Sequence, residues 1–260
     1  MTGRQRGRPA VSLRFGRAYV VLPMPRQARF VVADCPHHVV ARGVNGCLLF
    51  RGAGDKRDYM QKFARIAVEE HVRVHAYCLM DNHVHFVLTP EDPDGLARLF
   101  HRLHTSWAMR FNRIMERTGH LFQCRYHSTP LDEAHFWAAV RYVELNPRRA
   151  GLLYAVDQWK YSSAMAHMHG VADPFVTLDD ERFLTRFTPA TWTAHLNGTD
   201  TIGEEEERLR RTMPGNLPCG SPEWVTGFEQ VARRKLGWRT RGRPPGSKTF
   251  RPKVNTGAAH

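Results

Sequence analysis

The apolar positions of the chain fall into short blocks whose spacing changes from one block to the next. Residues 37–44 (HHVVARGV) are β-branched and strand-like. CLLF at 47–50 follows Asn45-Gly46, a pair that favours a hairpin turn, and reads as the returning strand. VRVHAYCLM (72–80) and HVHFVLTP (83–90) predict two more strands, joined at Asp81-Asn82. Elsewhere the spacing lengthens to three and four. Tyr59, Phe63, Ile66 and Ala67 predict a helix within Asp55–His71. Leu96, Leu99, Phe100, Leu103, Trp107 and Phe111 predict a long amphipathic helix over Leu96–Met115. Residues 119–131 (GHLFQCRYHSTPL) read as extended. A last helix is predicted from Asp132, a capping residue, to Asn146, where Pro147 disfavours continuation.

Strand, helix, strand, strand, helix implies an α+β fold: an antiparallel sheet with helices packed on one face, a plait and not a doubly wound parallel sheet. Beyond residue 155 the pattern weakens to short helices, as in LDDERFLTRF, EEEERLRRTM and PEWVTGFEQVARRKLG. The expected organisation is a basic arm over 1–29, a principal domain over 30–155, a mostly helical extension over 156–230 and a basic tail over 231–260.

Charge changes this picture. The 260 residues carry a net charge of +13 and are 42% hydrophobic. A core is therefore available, and the excess positive charge calls for a polyanionic partner, most simply nucleic acid. The basic residues gather at the ends. Residues 1–30 hold seven arginines and no acid, and residues 233–253 hold nine basic residues and no acid. RGRP occurs at Arg6–Pro9 and at Arg241–Pro244. Such a segment can lie in a minor groove with Arg241 and Arg243 reaching inward, although a solvated tail has the same composition. No apolar run is long enough to span a membrane, and no signal-peptide core is present, so a cytoplasmic protein is expected. The five cysteines form no CxxC pair, which argues against a disulfide framework or a zinc ribbon.

Two short motifs carry candidate chemistry. His83 and His85 sit two apart on a predicted strand, so both imidazoles share a face while Val84 and Phe86 point to the other. Two imidazoles so placed can converge on one metal ion, or simply line a half-solvated sheet. Tyr142 and Asn146 lie one helical turn apart, on one face of the last predicted helix. Alone, that pair could be packing.

Together the motifs resemble the HUH single-tyrosine transposases, most closely the REP-associated tyrosine transposases. The resemblance runs through HHVVARGVNGCLLF, VHAYCLMDNHVHFVL, GHLFQCRY, RYVELNPRRAGL and WKYSSA, over about residues 37–164. It implies a ferredoxin/RRM-like sheet, the HUH endonuclease core. It implies that His83 and His85 bind a divalent metal, Mg²⁺ or Mn²⁺, that Asn146 completes the metal site, and that Tyr142 is the nucleophile. It further implies cleavage of single-stranded DNA beside a hairpin, through a 5′-phosphotyrosine intermediate, in a cytoplasmic, nucleoid-associated protein. Arg42, Arg125, Arg141, Arg148 and Arg149 lie close in sequence to these elements and are candidate DNA contacts. Phe122 and Tyr126 are candidate stacking surfaces for unpaired bases. His135, seven residues before Tyr142, is one candidate to activate the phenol; a metal-bound water or the phosphate itself are others.

The chain departs from the family at Asp81, where proline is usual, and at Cys124 and His127 in the FQGRFK stretch. A catalytically silent, domesticated transposase that binds hairpin DNA is the alternative reading. An RNA-binding plait is weaker, because histidines stand where such sheets carry aromatics. Monomer and homodimer both remain open, as does whether the tyrosine works within its own chain.

Overall fold

The computed structural model describes residues 31–198 and 203–232, together with the backbone of two short paired strands, β1 (Ser12–Phe15) and β2 (Ala18–Val21). The RGRP segments, and with them Arg241 and Arg243, lie outside the described residues.

A four-stranded antiparallel sheet is the centre of the α+β fold. It is built from β3 (His37–Arg42), β4 (Val72–Leu79), β5 (His83–Pro90) and β6 (His127–Pro130), in the order β4-β5-β3-β6. The predicted turn at Asp81-Asn82 joins β4 to β5. Two helices cross one face, α1 (Ala53–Glu69) and α2 (Gly95–Ile114). Their apolar stripes meet Val39, Val84, Phe86 and Leu88 in one continuous core. Phe63 and Phe86 stack there with ring centroids 4.4 Å apart. A fully buried side chain of this size contributes roughly 1.5–3 kcal/mol relative to exposure.

The second face is covered as well, which the expectation of helices on one face did not include. Here α3 (Glu133–Glu144) lays Phe136, Ala139, Val140 and Val143 over Ala76, Cys78, Met80 and Val87 of the sheet. Seven of the eight β5 residues are consequently buried, with His83 the exception. Asp132 caps α3 as predicted, accepting from the His135 amide. Pro147 does interrupt the helix, but the chain turns at Leu145 and resumes as a single turn, α4 (Asn146–Arg149). The proline needs no amide partner at such a position.

CLLF is not a strand. Asn45 and Gly46 do turn, with φ of 50° and 73°. The amides of Leu49 and Phe50 then bond to the Asp81 carbonyl instead of to β3. The place beside the end of β3 is taken by the 121–123 segment, through Val44 N–H to Leu121 O and Gln123 N–H to Arg42 O, each 2.9 Å. Only the end of the 119–131 stretch is a regular strand.

The remaining helices are α5 (Ala164–His169), α6 (Asp180–Leu184), α7 (Pro189–Asn197), α8 (Glu204–Thr212) and α9 (Pro222–Ala232). Two of them, α5 and α7, close over α3 through one fully buried carboxylate. Glu144 accepts from Ser163 Oγ (2.6 Å), His167 Nδ1 (2.6 Å) and Trp192 Nε1 (2.8 Å). A carboxylate this deep is tolerable only with such a set of donors.

Candidate active site

Strand β5 presents His83 and His85 on the face that α3 covers. The register sets Arg42 opposite His83, and Val40 and Cys78 on either side of His85. The two imidazole centroids are 5.0 Å apart. From α3, the Tyr142 ring comes to 5.6 Å from the His85 ring, edge to face. One turn later Asn146 points its Oδ1 at His83 Nε2, 3.3 Å away. The strand pair and the helix pair, inferred separately from sequence, therefore meet within one chain.

The proton inventory around His83 is informative. Its Nδ1 is 2.6 Å from Asn82 Oδ1, and its Nε2 faces a second carboxamide oxygen on Asn146. A neutral imidazole has one N–H. The shorter contact takes it, leaving Nε2 and Asn146 Oδ1 as two lone-pair atoms aimed at each other. Burial, aided by the Arg42 charge, pushes His83 down to about 4, so the ring carries no second proton at neutral pH. Burial also drives His85 well below the usual imidazole value, with His38 and His83 adding to the effect. Neutral imidazoles and a carboxamide oxygen with unmatched lone pairs suit a divalent cation. Among the described residues, no group of three or more His, Cys, Asp or Glu side chains is arranged to hold a metal, so the candidate donor set is these two imidazoles with Asn146.

His38 was missed by sequence reasoning. It is buried on β3, and its Nε2 lies 3.0 Å from His85 Nδ1, the rings stacked 8° from parallel at 5.3 Å. Burial pushes it down to about 3. If His85 is to offer Nε2 to a ligand, its Nδ1–H must donate to His38. The neighbour thus fixes the tautomer, as outer partners of metal-bound histidines do. The one signal in the sequence was a histidine pair opening an otherwise apolar strand. Which of the two faces His85 depends on a register that sequence does not show.

The model of the family described as "Transposase IS200 like" matches residues 31–146. Those residues form an IS200-like transposase domain. The match begins just before β3, takes in both histidines and Tyr142, and ends on Asn146. A solved structure of a REP-associated tyrosine transposase bound to a REP hairpin is also similar. It is 15% identical, with a TM-score of 0.45, covering 60% of this chain and 93% of that one. No curated protein matches the sequence.

The candidate arginines of the transposase domain and its flank separate into two groups. Arg42 and Arg125 are exposed. A groove of 1160 Å³ runs between α2 and residues 119–127, lined by His101, His120, Phe122 and Arg125 among others; it does not include His83, His85 or Tyr142. Arg141, expected as a DNA contact, is instead buried, donating to Glu206 Oε1 at 2.7 Å and to the His195 carbonyl at 3.3 Å. It faces inward because the side of α3 it occupies is covered by α7 and α8. Arg148 donates to the Leu196 carbonyl at 2.9 Å. Arg149 pairs with Glu206 and lies over the Tyr142 ring.

Other expectations are corrected. Tyr126 is buried and packs on Phe100, with centroids 4.7 Å apart, so it offers no free stacking face. Phe122 is half-buried and stacked on His104 at 4.0 Å. His135 is buried and bonded to Asp132 Oδ1 at 2.6 Å. It sits seven residues, about 10 Å of helix rise, from Tyr142 and is not placed to take the phenol proton. Asp81, the departure in the histidine motif, pairs with the buried Lys56 of α1 at 2.7 Å. No helix among the described residues is long and apolar enough to cross a membrane.

Proposed function

We propose that this protein is a divalent-metal-dependent endonuclease and strand-transferase of single-stranded DNA, with Tyr142 as nucleophile. The observation that carries the reading is the meeting of Tyr142 with His85 while Asn146 Oδ1 faces His83 Nε2. His83, His85 and Asn146 would hold Mg²⁺ or Mn²⁺. A bound divalent ion supplies charge stabilisation to a phosphodiester that otherwise repels a nucleophile. His38 orients His85, and Asn82 orients His83. Tyr142 Oη forms a bond to phosphorus as the bond to the 3′-oxygen breaks, and the phenol proton ends on that oxygen. The products are a 5′-phosphotyrosine and a free 3′-hydroxyl, and reversal rejoins strands. Exposed Arg42, beside His83, and Arg125, in the neighbouring groove, would hold the sugar-phosphate backbone. The substrate implied by the sequence resemblance is a single strand beside a hairpin, met in the cytoplasm at the nucleoid.

The test is a labelled single-stranded oligonucleotide carrying a hairpin, incubated with Mg²⁺ or Mn²⁺. Wild type should cut it and keep a covalent adduct. Tyr142→Phe should abolish both, and His83→Ala and His85→Ala should each abolish metal-dependent cutting. Cleavage and adduct intact in Tyr142→Phe would overturn the nucleophile assignment. Tight hairpin binding without cutting in any divalent metal would favour a silent DNA-binding protein.

A further inference from the structure

Helix α8 lies beyond the segment that matches the transposase family, yet it packs on the helix that carries Tyr142. It brings Arg210 to that side chain, and Glu206 to the arginine that lies over it. Glu206 is 3% exposed and bridges α3 to α4, accepting from Arg141 and from Arg149. Arg210, one turn further along α8, is exposed and places its guanidinium carbon 5.4 Å from the centre of the Tyr142 ring. The guanidinium carbon of Arg149 is 5.3 Å from the same ring.

Neither guanidinium is fully matched. Arg149 uses Nη2 on Glu206, while its Nη1 is buried without a hydrogen-bond partner among the described residues. Arg210 forms no ion pair among the described residues. The two cations also repel: burial first, then the charges of Arg141 and Arg210, lower Arg149 from its ordinary value despite Glu206. Buried donors without acceptors and crowded like charges cost stability. Their persistence beside a tyrosine is explained if an anion completes them. A guanidinium fork matches phosphate oxygens in shape as well as charge.

We propose that Arg149 and Arg210, with Arg149 held by Glu206, form a phosphate subsite for the DNA backbone phosphate that meets Tyr142. The inference rests on the reading of the protein as a single-stranded DNA nuclease. It makes α8 a working part of the site and not an appendage. The backbone phosphate enters over the tyrosine ring from the α8 side. Glu206 is a positioning residue, acting through Arg149, and Arg210 contacts the phosphate directly.

The probe is a fluorescein-labelled single strand bearing either a 5′-phosphate or a 5′-hydroxyl, measured by anisotropy in EDTA so that no cutting occurs. The 5′-phosphate stands for the group that Tyr142 would retain. Wild type should bind the phosphorylated strand several-fold more tightly. Arg210→Gln should remove most of that preference and lower the salt slope of binding by about 0.7, the value for one single-strand phosphate contact. Arg211→Gln, on the same helix but paired with Glu207, should keep the preference. Glu206→Gln should weaken the preference partly, because Arg149 loses its anchor. Thermal melting checks that each variant is folded. A preference unchanged in Arg210→Gln, or absent from wild type, overturns the subsite while leaving the cleavage test to stand by itself. Failure of wild type to bind either strand overturns the subsite as well, and the cleavage test in Mg²⁺ or Mn²⁺ then decides the nuclease reading by itself.

Discussion

Asp81→Asn tests what the departure in the histidine motif does. Lys56 is a nearly buried ammonium, its side chain 7% exposed, and Asp81 Oδ1 is 2.7 Å from it. The Lys56 ammonium also lies over the Trp159 ring at 4.5 Å and the Tyr161 ring at 5.5 Å. A hydrogen bond to a charged group is worth about 1.5–3 kcal/mol net. The Asp81 side chain is 58% exposed, so water already weakens the pair, and the two aromatic faces continue to hold the cation after the carboxylate is gone. We expect Asp81→Asn to cost about 1–2 kcal/mol, within the range for one charged hydrogen bond partly offset. Lys56→Met should cost less, under about 1 kcal/mol. It keeps the apolar stem under Trp159 and leaves only an exposed carboxylate, which water solvates. Urea unfolding of the two single variants and the double variant measures the asymmetry and the coupling. If Lys56→Met is the more damaging single change, the ammonium is not what Asp81 serves. If the double variant loses the full sum of the singles, the two residues are not coupled.

Two further outcomes follow from the same kind of reasoning. His38→Ala should weaken Mn²⁺ binding by about 10–100-fold, the usual effect of removing an outer partner of a metal-bound histidine, with the fold intact by circular dichroism. Calorimetric titration reads this directly, and unchanged affinity would remove His38 from the site. The Glu144–His167 pair should make stability pH-dependent. Burial opposes a charged His167, but the Glu144 carboxylate outweighs it and raises the imidazole above its ordinary 6.5. A raised histidine contributes stability that is complete below 6.5 and lost as pH rises through the folded-state value. Urea midpoints should therefore fall as pH rises above 6.5, and His167→Gln should flatten that fall; equal slopes for both proteins would refute the pairing.

Much of the central fold was legible because periodicity reports burial. The helical stripes from Tyr59 and from Leu96, and the alternation around His83, each place one face in the core. Periodicity failed where both faces are covered or where backbone bonds go elsewhere. CLLF is apolar because Leu49 and Phe50 are buried, yet their amides bond to Asp81 and not to a strand. The candidate site was legible as two motifs. Their meeting depends on tertiary packing, and so does the part played by His38. Arg141 and Arg42 look alike in sequence, but one is sealed under α8 and the other faces solvent. Lys56 explains Asp81, and nothing in the spacing of residues 56 and 81 announces the pair.

The buried carboxylate of Glu144 has a consequence for where the chain can be divided. Glu144 lies inside the family-matched segment, and its three donors, Ser163, His167 and Trp192, all lie after it. A chain ending at residue 146 would lack all three donors and the residues that cover this carboxylate, on the helix that carries Tyr142. Until Trp192 is in place Glu144 lacks one of its three donors, so the setting of the helix that carries Tyr142 depends on residues well beyond it. Residues 144, 163, 167 and 192 therefore work as one unit, and a chimera that exchanges residue 192 without residue 144 gives up a donor that this buried carboxylate uses.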